Sequence, residues 1–260
     1  MHTLISQRVN AERLVVLGWS RAILLQLAHP LVAAGVAEHS SFRGGGAAAV
    51  SRLHHTIRAM LALTFGDAAA RQAALEGIRA IHRRVHGRLP EAAGIFPAGT
   101  PYSAEDPALV LWVHATLLES IPLVYDQVVR PLTPEERDAY CAEAAEIAID
   151  LGARPDEVPR TWAATTACLA RSYASGEIAV SAQAHELAAA VLAPPFAPLV
   201  WPLARINRLV TAGLLPPPLR AQYGLAWDER HEARLARTWP RLRAVRRALP
   251  RRVAWWPEAR

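Results

Sequence analysis

The sequence predicts an all-α fold of roughly eight to ten helices, and three observations carry that expectation. Helix punctuation recurs along the chain, with capping residues before apolar runs and glycines or prolines after them. Apolar residues return with a period near 3.6 rather than alternating. No run of alternating β-branched residues is bounded by hairpin signals, so no strand is expected.

Taken in order, Leu14 to Ala37 is strongly apolar but interrupted by Arg21, Gln26, His29 and Pro30. A membrane span needs about 20 nearly uncharged residues, so this stretch reads as two buried helices broken at His29-Pro30. Gly44-Gly45-Gly46 reads as a loop. The helix through Ser51-Arg52-Leu53-His54-His55-Thr56 has two faces. Val50, Leu53, Ile57, Leu61 and Thr64 point one way, while Arg52, His55 and Thr56 point the other, above Ala59, Ala62 and Leu63. Such a helix packs on one side and lines a polar-tipped cavity on the other. In the next helix, through Ile81-His82-Arg83-Arg84-Val85-His86-Gly87, an apolar stripe of Leu75, Ile78, His82, Val85 and Leu89 has His82 at its centre and His86 at its edge. Pro90 to Pro101 is a loop. Asp106-Pro107 caps and opens a helix over Leu109 to Tyr125, and Thr133-Pro134-Glu135-Glu136 is a capping box for one that stops at Leu151-Gly152. Ser181 starts a short helix to Leu192, Pro194-Pro195 and Pro216-Pro217-Pro218 are breaks, and Asp228 caps a last long helix toward Leu249.

The 260 residues, 52% of them hydrophobic, suffice for one domain over 1–260 with a large core. All 29 cationic side chains are arginine, so lysine-based Schiff-base chemistry is excluded. Much of the net charge of +6 lies in a C-terminal tail, 241–260, at Arg241, Arg243, Arg246, Arg247, Arg251 and Arg252. The run reads first as a solvated tail with snorkelling stems, and secondly as a surface for nucleic acid or anionic lipid; no nucleic-acid partner is expected. Cys141 and Cys168 form neither a CxxC pair nor a disulfide framework, and no signal-peptide order opens the chain. A cytoplasmic protein without a transmembrane segment is expected.

Several chemistries are excluded by motif. No Glu is followed three residues later by His, which removes the di-iron bundle pattern, and there is no HExxH, no CxxCH and no Walker loop. His82 with His86 could chelate one metal as an i, i+4 pair. A histidine central to an apolar face must find a hydrogen-bond partner or a metal. His29, His114 and Glu119 read as structural and buried, whereas Glu38 and His39 could face a cavity mouth.

Six segments occur in an order and spacing that resemble one family: Ala28-His29-Pro30-Leu31-Val32-Ala33-Ala34-Gly35-Val36, Glu38-His39-Ser40, Arg52-Leu53-His54-His55-Thr56, Phe65-Gly66, Ile81-His82-Arg83-Arg84-Val85 and Trp112-Val113-His114-Ala115-Thr116-Leu117. The sequence is similar, from about Arg13 to about Pro240, to the catalytic domain shared by latex-clearing protein (rubber oxygenase) and the mpaB-type oxygenase of mycophenolic acid biosynthesis. The resemblance implies a globin-like helical core holding haem b, and use of dioxygen to cleave carbon–carbon double bonds in isoprenoid chains. It maps the iron-ligating histidine onto His82, with His86 as the alternative, and the distal arginine and threonine onto Arg52 and Thr56. His55 stands where the rubber enzymes carry lysine, as a sixth ligand or proton donor. Glu38 is the candidate for the family's base. The implied activity is a haem-dependent oxygenase acting on an apolar unsaturated small molecule. The rivals are a non-catalytic haem carrier or sensor, ligated by His82 and His55, and a cofactor-free helical protein binding an apolar ligand.

Overall fold

The computed structural model describes residues 4–39, 45–192 and 201–260, with the side chains of 45–53 and 201–202 outside that description. Among the described residues the helices are α1 (Ile5–Asn10), α2 (Val16–Leu27), α3 (Pro30–His39), α4 (Gly45–Phe65), α5 (Ala68–His82), α6 (Pro107–Val128), α7 (Pro134–Asp150), α8 (Trp162–Ala174), α9 (Ala182–Leu192), α10 (Trp201–Leu214), α11 (Pro217–Gln222), α12 (Glu229–Ala248) and α13 (Arg251–Ala254). Two short strands, β1 (His86–Arg88) and β2 (Pro101–Ser103), pair antiparallel between α5 and α6. The protein is essentially all-α, as its sequence predicts.

Helix α6 is the axis. Asp106 accepts a hydrogen bond from the Ala108 amide, Pro107 occupies the first turn, and most of the side chains that follow are buried. By length and composition α6 could cross a membrane, but 67% of its most apolar window is buried inside the protein. Helices α2, α7, α8 and α12 pack around it. The α2 crossing is backbone-close: a Cβ on Gly18 would lie 2.5 Å from the Ser120 carbonyl oxygen. One turn on, Arg21 is only 3% exposed. Its guanidinium donates to the Leu214 carbonyl (2.7 Å), Ser120 Oγ (2.7 Å) and Glu119 Oε2 (2.6 Å). Glu119, expected to be buried, is only partly so, its side chain 18% exposed, and its partner lies almost a hundred residues away.

The break at His29-Pro30 is real, and α2 and α3 meet there at 105°. The Ala28 carbonyl, freed by the bend, accepts from the Ala179 amide (2.8 Å), and the Leu24 carbonyl, which keeps its helical bond from the Ala28 amide, also accepts from the Tyr223 hydroxyl (2.7 Å). The caps at Asp106, Thr133 and Asp228 all close as the sequence predicts, the second as a full capping box.

Three local expectations are corrected. Gly45 and Gly46 open α4 instead of lying in a loop; Gly44 and Pro194-Pro195 fall outside the described residues. Helix α5 closes at His82, so the segment through Gly87 is not helical and His82 with His86 is not an i, i+4 pair on one helix face. Val85 and Leu89 nevertheless bury, by leaving the helix: Leu89 is 2% exposed, and Val85 Cγ1 approaches the bare backbone of Gly35. The strand pairing (His86 with Ser103, Gly87 with Tyr102) also departs from the expectation of no strand.

The arginine-rich end is also more than a tail. Residues to Ala248 belong to α12, whose Leu235 and Leu242 are buried. Arg243 donates to the Gln127 and Asp126 carbonyls, and Arg246 pairs with the buried Glu12.

Because Arg21 is the charge partner of a largely buried Glu119, Arg21→Ala should destabilise the protein by about 3–5 kcal/mol, leaving the carboxylate uncompensated. Glu119→Gln, which keeps an acceptor, should cost less. Urea titrations followed by circular dichroism check both, and equal midpoints for Arg21→Ala and the parent would show that this pair does not hold α2 to α6.

Candidate functional site

The end of α3 and the β-hairpin bring together residues far apart in sequence. Glu38 and His39 end α3. The Tyr102 hydroxyl donates a short hydrogen bond to Glu38 Oε2, and His39 Nε2 donates to the His86 carbonyl at 3.1 Å. The rings of His39 and His86 are centred 6.5 Å apart, and those of His39 and Tyr102 6.3 Å. Burial and the adjacent carboxylate push the Tyr102 phenol up, so it remains a hydrogen-bond donor. Gly87 makes the approach possible: a Cβ there would sit 2.6 Å from Tyr102 Oη and 3.1 Å from Glu38 Oε2. The structure therefore joins two candidates, Glu38 and His86, through His39 and Tyr102. The sequence reading missed Tyr102, because strand register alone sets it opposite Gly87.

His82 stands one turn before this cluster, at the last position of α5. Its side chain is partly buried, and the Nδ1 atom is buried without a hydrogen-bond partner. Burial lowers its pKa below the ordinary 6.5, opposed by the charge of Glu105, which favours the protonated ring. The result is a neutral imidazole with a nitrogen free to bind. By contrast, the His86 ring is exposed on β1. Glu105, also missed by the sequence reading, precedes the α6 cap; its amide is held by Ser103 Oγ at 3.1 Å.

The third group lies on α4, which packs against α5. His55 and Thr56 are exposed, and the His55 ring is centred 6.2 Å from that of His54. On the opposite side of the helix Leu61 is buried, and Ile57 and Met60 pack on the cluster of Val9, Trp19, Leu118 and Tyr125. The two-faced reading of this helix holds only in part: His55 and Thr56 open to solvent rather than into a cavity, and Leu63, expected on their face, is buried like Leu61. Arg52 falls on α4, but its side chain lies outside the described residues. Among the described residues no cluster of three histidine, cysteine, aspartate or glutamate side chains is placed to hold a metal ion, so a metal here would need a cofactor supplying the remaining ligands. A single neutral imidazole with an unsatisfied buried nitrogen fits haem, whose macrocycle provides the other four.

Two more histidines are buried. His29 lines a cleft of about 920 Å³ with Phe96, Leu109, Trp112, Cys168 and Glu177, its ring 5.3 Å from that of Phe96. His114 lies on α6 one turn from Leu117 and Leu118, with Nε2 buried and unpartnered. Burial lowers the pKa of each to about 4. Both are neutral. His29 is satisfied, its Nδ1 accepting from the Leu31 amide at 3.3 Å, whereas His114, like His82, keeps a buried nitrogen without a partner, so the structural reading of His114 is met in burial but not in hydrogen bonding.

Comparison with known proteins gives the chain its context. The family described as "ER-bound oxygenase mpaB/B'/Rubber oxygenase, catalytic domain" matches residues 7–248. Two proteins described only as uncharacterised, from Mycobacterium bovis and Mycobacterium tuberculosis, are each 27% identical over 238 residues, covering 90% of this chain and 89% of theirs. No solved structure matches.

The buried histidines set a pH dependence. The unfolded chain takes up their protons near 6.5 and the folded chain only near 4. Stability is therefore full above about pH 6.5, falls as pH drops through that window, and levels off below about pH 4. Each ring can contribute up to about 3 kcal/mol. Urea midpoints at falling pH check this, and His114→Leu should flatten the slope by roughly half. At the hairpin, Gly87→Ala should cost about 1–3 kcal/mol by forcing Tyr102 off Glu38, read as a lower melting temperature that Tyr102→Phe does not reproduce in full.

Proposed function

From the premise that this chain belongs to the mpaB/rubber oxygenase catalytic-domain family, we propose that it is a haem b-dependent oxygenase acting with dioxygen on an apolar, unsaturated small molecule. One observation carries the haem assignment. His82 is an imidazole kept neutral by burial, with Nδ1 buried and unpartnered, and an unmet buried polar atom of this kind costs about 1–3 kcal/mol until a partner arrives. Haem, when bound, supplies the redox centre at which dioxygen is activated.

The chain's own residues supply the rest. His82 holds the group, and the Glu105 charge that favours its protonated form also raises its basicity as a donor. His55 and Thr56 present hydrogen-bonding groups from α4, on the helix that also carries Arg52, where developing negative charge would be stabilised by positioned donors. Glu38, fixed by the Tyr102 hydroxyl, is oriented to take up a proton at Oε1 or Oε2. The apolar substrate class follows from the surroundings. Helices α2, α3 and α6 present mainly leucine, valine and alanine to the interior, and such walls select by shape and burial, with few polar contacts. The two cysteines, both free and buried, support a reducing, cytoplasmic location.

The electronic spectrum of freshly purified or haem-reconstituted protein tests the reading. A Soret band should be present, absent in His82→Ala with helicity retained, and largely unchanged in His86→Ala. Reversal of the two variants would move the ligand to β1. A six-coordinate spectrum inert to carbon monoxide would favour the carrier ligated by His82 and His55, and no Soret band after haem addition would overturn the haem assignment. Loaded protein incubated with short terpenoid alkenes under oxygen should yield carbonyl cleavage products. Peroxidase activity alone would overturn the substrate assignment.

A further inference from the structure

The solvent face of α12 carries an ordered line of charge that neither the fold nor the proposed chemistry uses. Arg230, Arg234, Arg237 and Arg241 recur at spacings of four, three and four, so they stand in one row along the helix. All four are exposed, and the buried face, with Leu235, Thr238 and Leu242, lies about a third of a turn round the helix. The next step of four along the row is Val245, which is 51% exposed. Beyond it come exposed Arg247, Arg251 and Arg252 and then Val253, 44% exposed. From Glu229 to Arg260 the chain holds ten arginines and three acids, Glu229 and Glu232 at the start of the row and Glu258 near its end. Arg243 and Arg246 are taken by the fold, and Arg251 stacks on Trp255. The row from Arg230 to Arg241 makes no ion pair among the described residues.

We infer that this face docks the protein on the surface of an anionic lipid bilayer, arginines against the headgroups, with Val245 and Val253 entering the interface. Charge selects an anionic partner, because each arginine near such a surface adds an increment of attraction that salt removes. The apolar residues select the bilayer over nucleic acid. Val245, in line with the row, and Val253, exposed on α13 beyond the Pro250 break, gain by leaving water at a lipid interface, and would gain nothing along a phosphodiester backbone. The tryptophans beside them do not offer bases a free platform, since Trp255 lies under Arg251 and Trp256 under Arg13. Guanidinium groups, which pair bidentately with phosphate, suit a headgroup layer. The inference rests on the surface alone and stands whether or not the site binds haem.

The test is co-sedimentation of the full chain with vesicles of phosphatidylcholine alone or mixed with phosphatidylserine, at low and high salt, beside binding to duplex DNA. The expected result is pelleting with the phosphatidylserine vesicles only, reversed by salt. The combined variant Arg230→Gln, Arg234→Gln, Arg237→Gln, Arg241→Gln should weaken this roughly 100-fold or more without moving the melting temperature. Val245→Ser with Val253→Ser should weaken binding further at intermediate salt. Equal binding to both vesicle types, no pelleting with either, or tighter binding to DNA than to anionic vesicles would each overturn the inference.

Discussion

A single buried guanidinium sets the geometry of this protein. Arg21 ties α2 to α6 through Glu119 and Ser120, and α2 to the end of α10 through the Leu214 carbonyl. Removing a charge from water is costly, and it is tolerated here because three acceptors of a planar fork are met at once. That geometry requires the two helices to touch backbone to backbone, which the missing side chain at Gly18 permits. Hydrophobic packing is non-directional and could be satisfied by several crossings of such leucine-rich helices; the Arg21 fork admits one.

The candidate site inherits this arrangement. Once α2 is placed, the 105° bend at His29-Pro30 directs α3 toward the hairpin, and two close approaches complete the contact: Val85 on Gly35, and Tyr102 with Glu38 over Gly87. The second is possible only where a Cβ is absent, and the first leaves little room for one. The result is a polar cluster of Glu38, His39, Tyr102 and the His86 carbonyl just beyond the end of α5, where His82 keeps its unpartnered nitrogen. A histidine neutral by burial, with the Glu105 charge acting on it, is an arrangement that suits ligand binding better than stability, since a core of hydrocarbons would have been less costly.

Arginine serves two ends in a chain without lysine. Buried or half-buried, Arg21, Arg79, Arg137, Arg243 and Arg246 use their forks to satisfy carbonyls and carboxylates between helices. Exposed on α12, the same residue type faces only water. The distinction follows from position on the helix. Residues beside the buried Leu235 and Leu242 meet acceptors from α6 and the N-terminal segment, and those a third of a turn or more away do not.

Helix identity and most helix ends were determined by the sequence itself, because a cap is a contact between residues two or three apart and a proline acts on its own turn. Asp106, Thr133, Asp228 and the His29-Pro30 break all behave as their neighbours dictate. The partial burial of His82 was legible too, from its spacing to Leu75 and Ile78 on α5, whereas the face of α4 that carries His55 and Thr56 goes on to a buried Leu63 that its period places with them. What only the tertiary structure decided lies where partners are distant. Nothing local to His86 shows that the helix has already ended. The end follows from burying Val85 and Leu89 against α3 and from pairing Gly87 with Tyr102. In the same way, Glu119 acquires its partner, and Glu38 its hydroxyl, only when the chain has folded back by tens of residues or more. A sequence displays periods and caps; it does not display which of its polar atoms will meet, because that depends on helix crossings fixed by close packing elsewhere in the molecule.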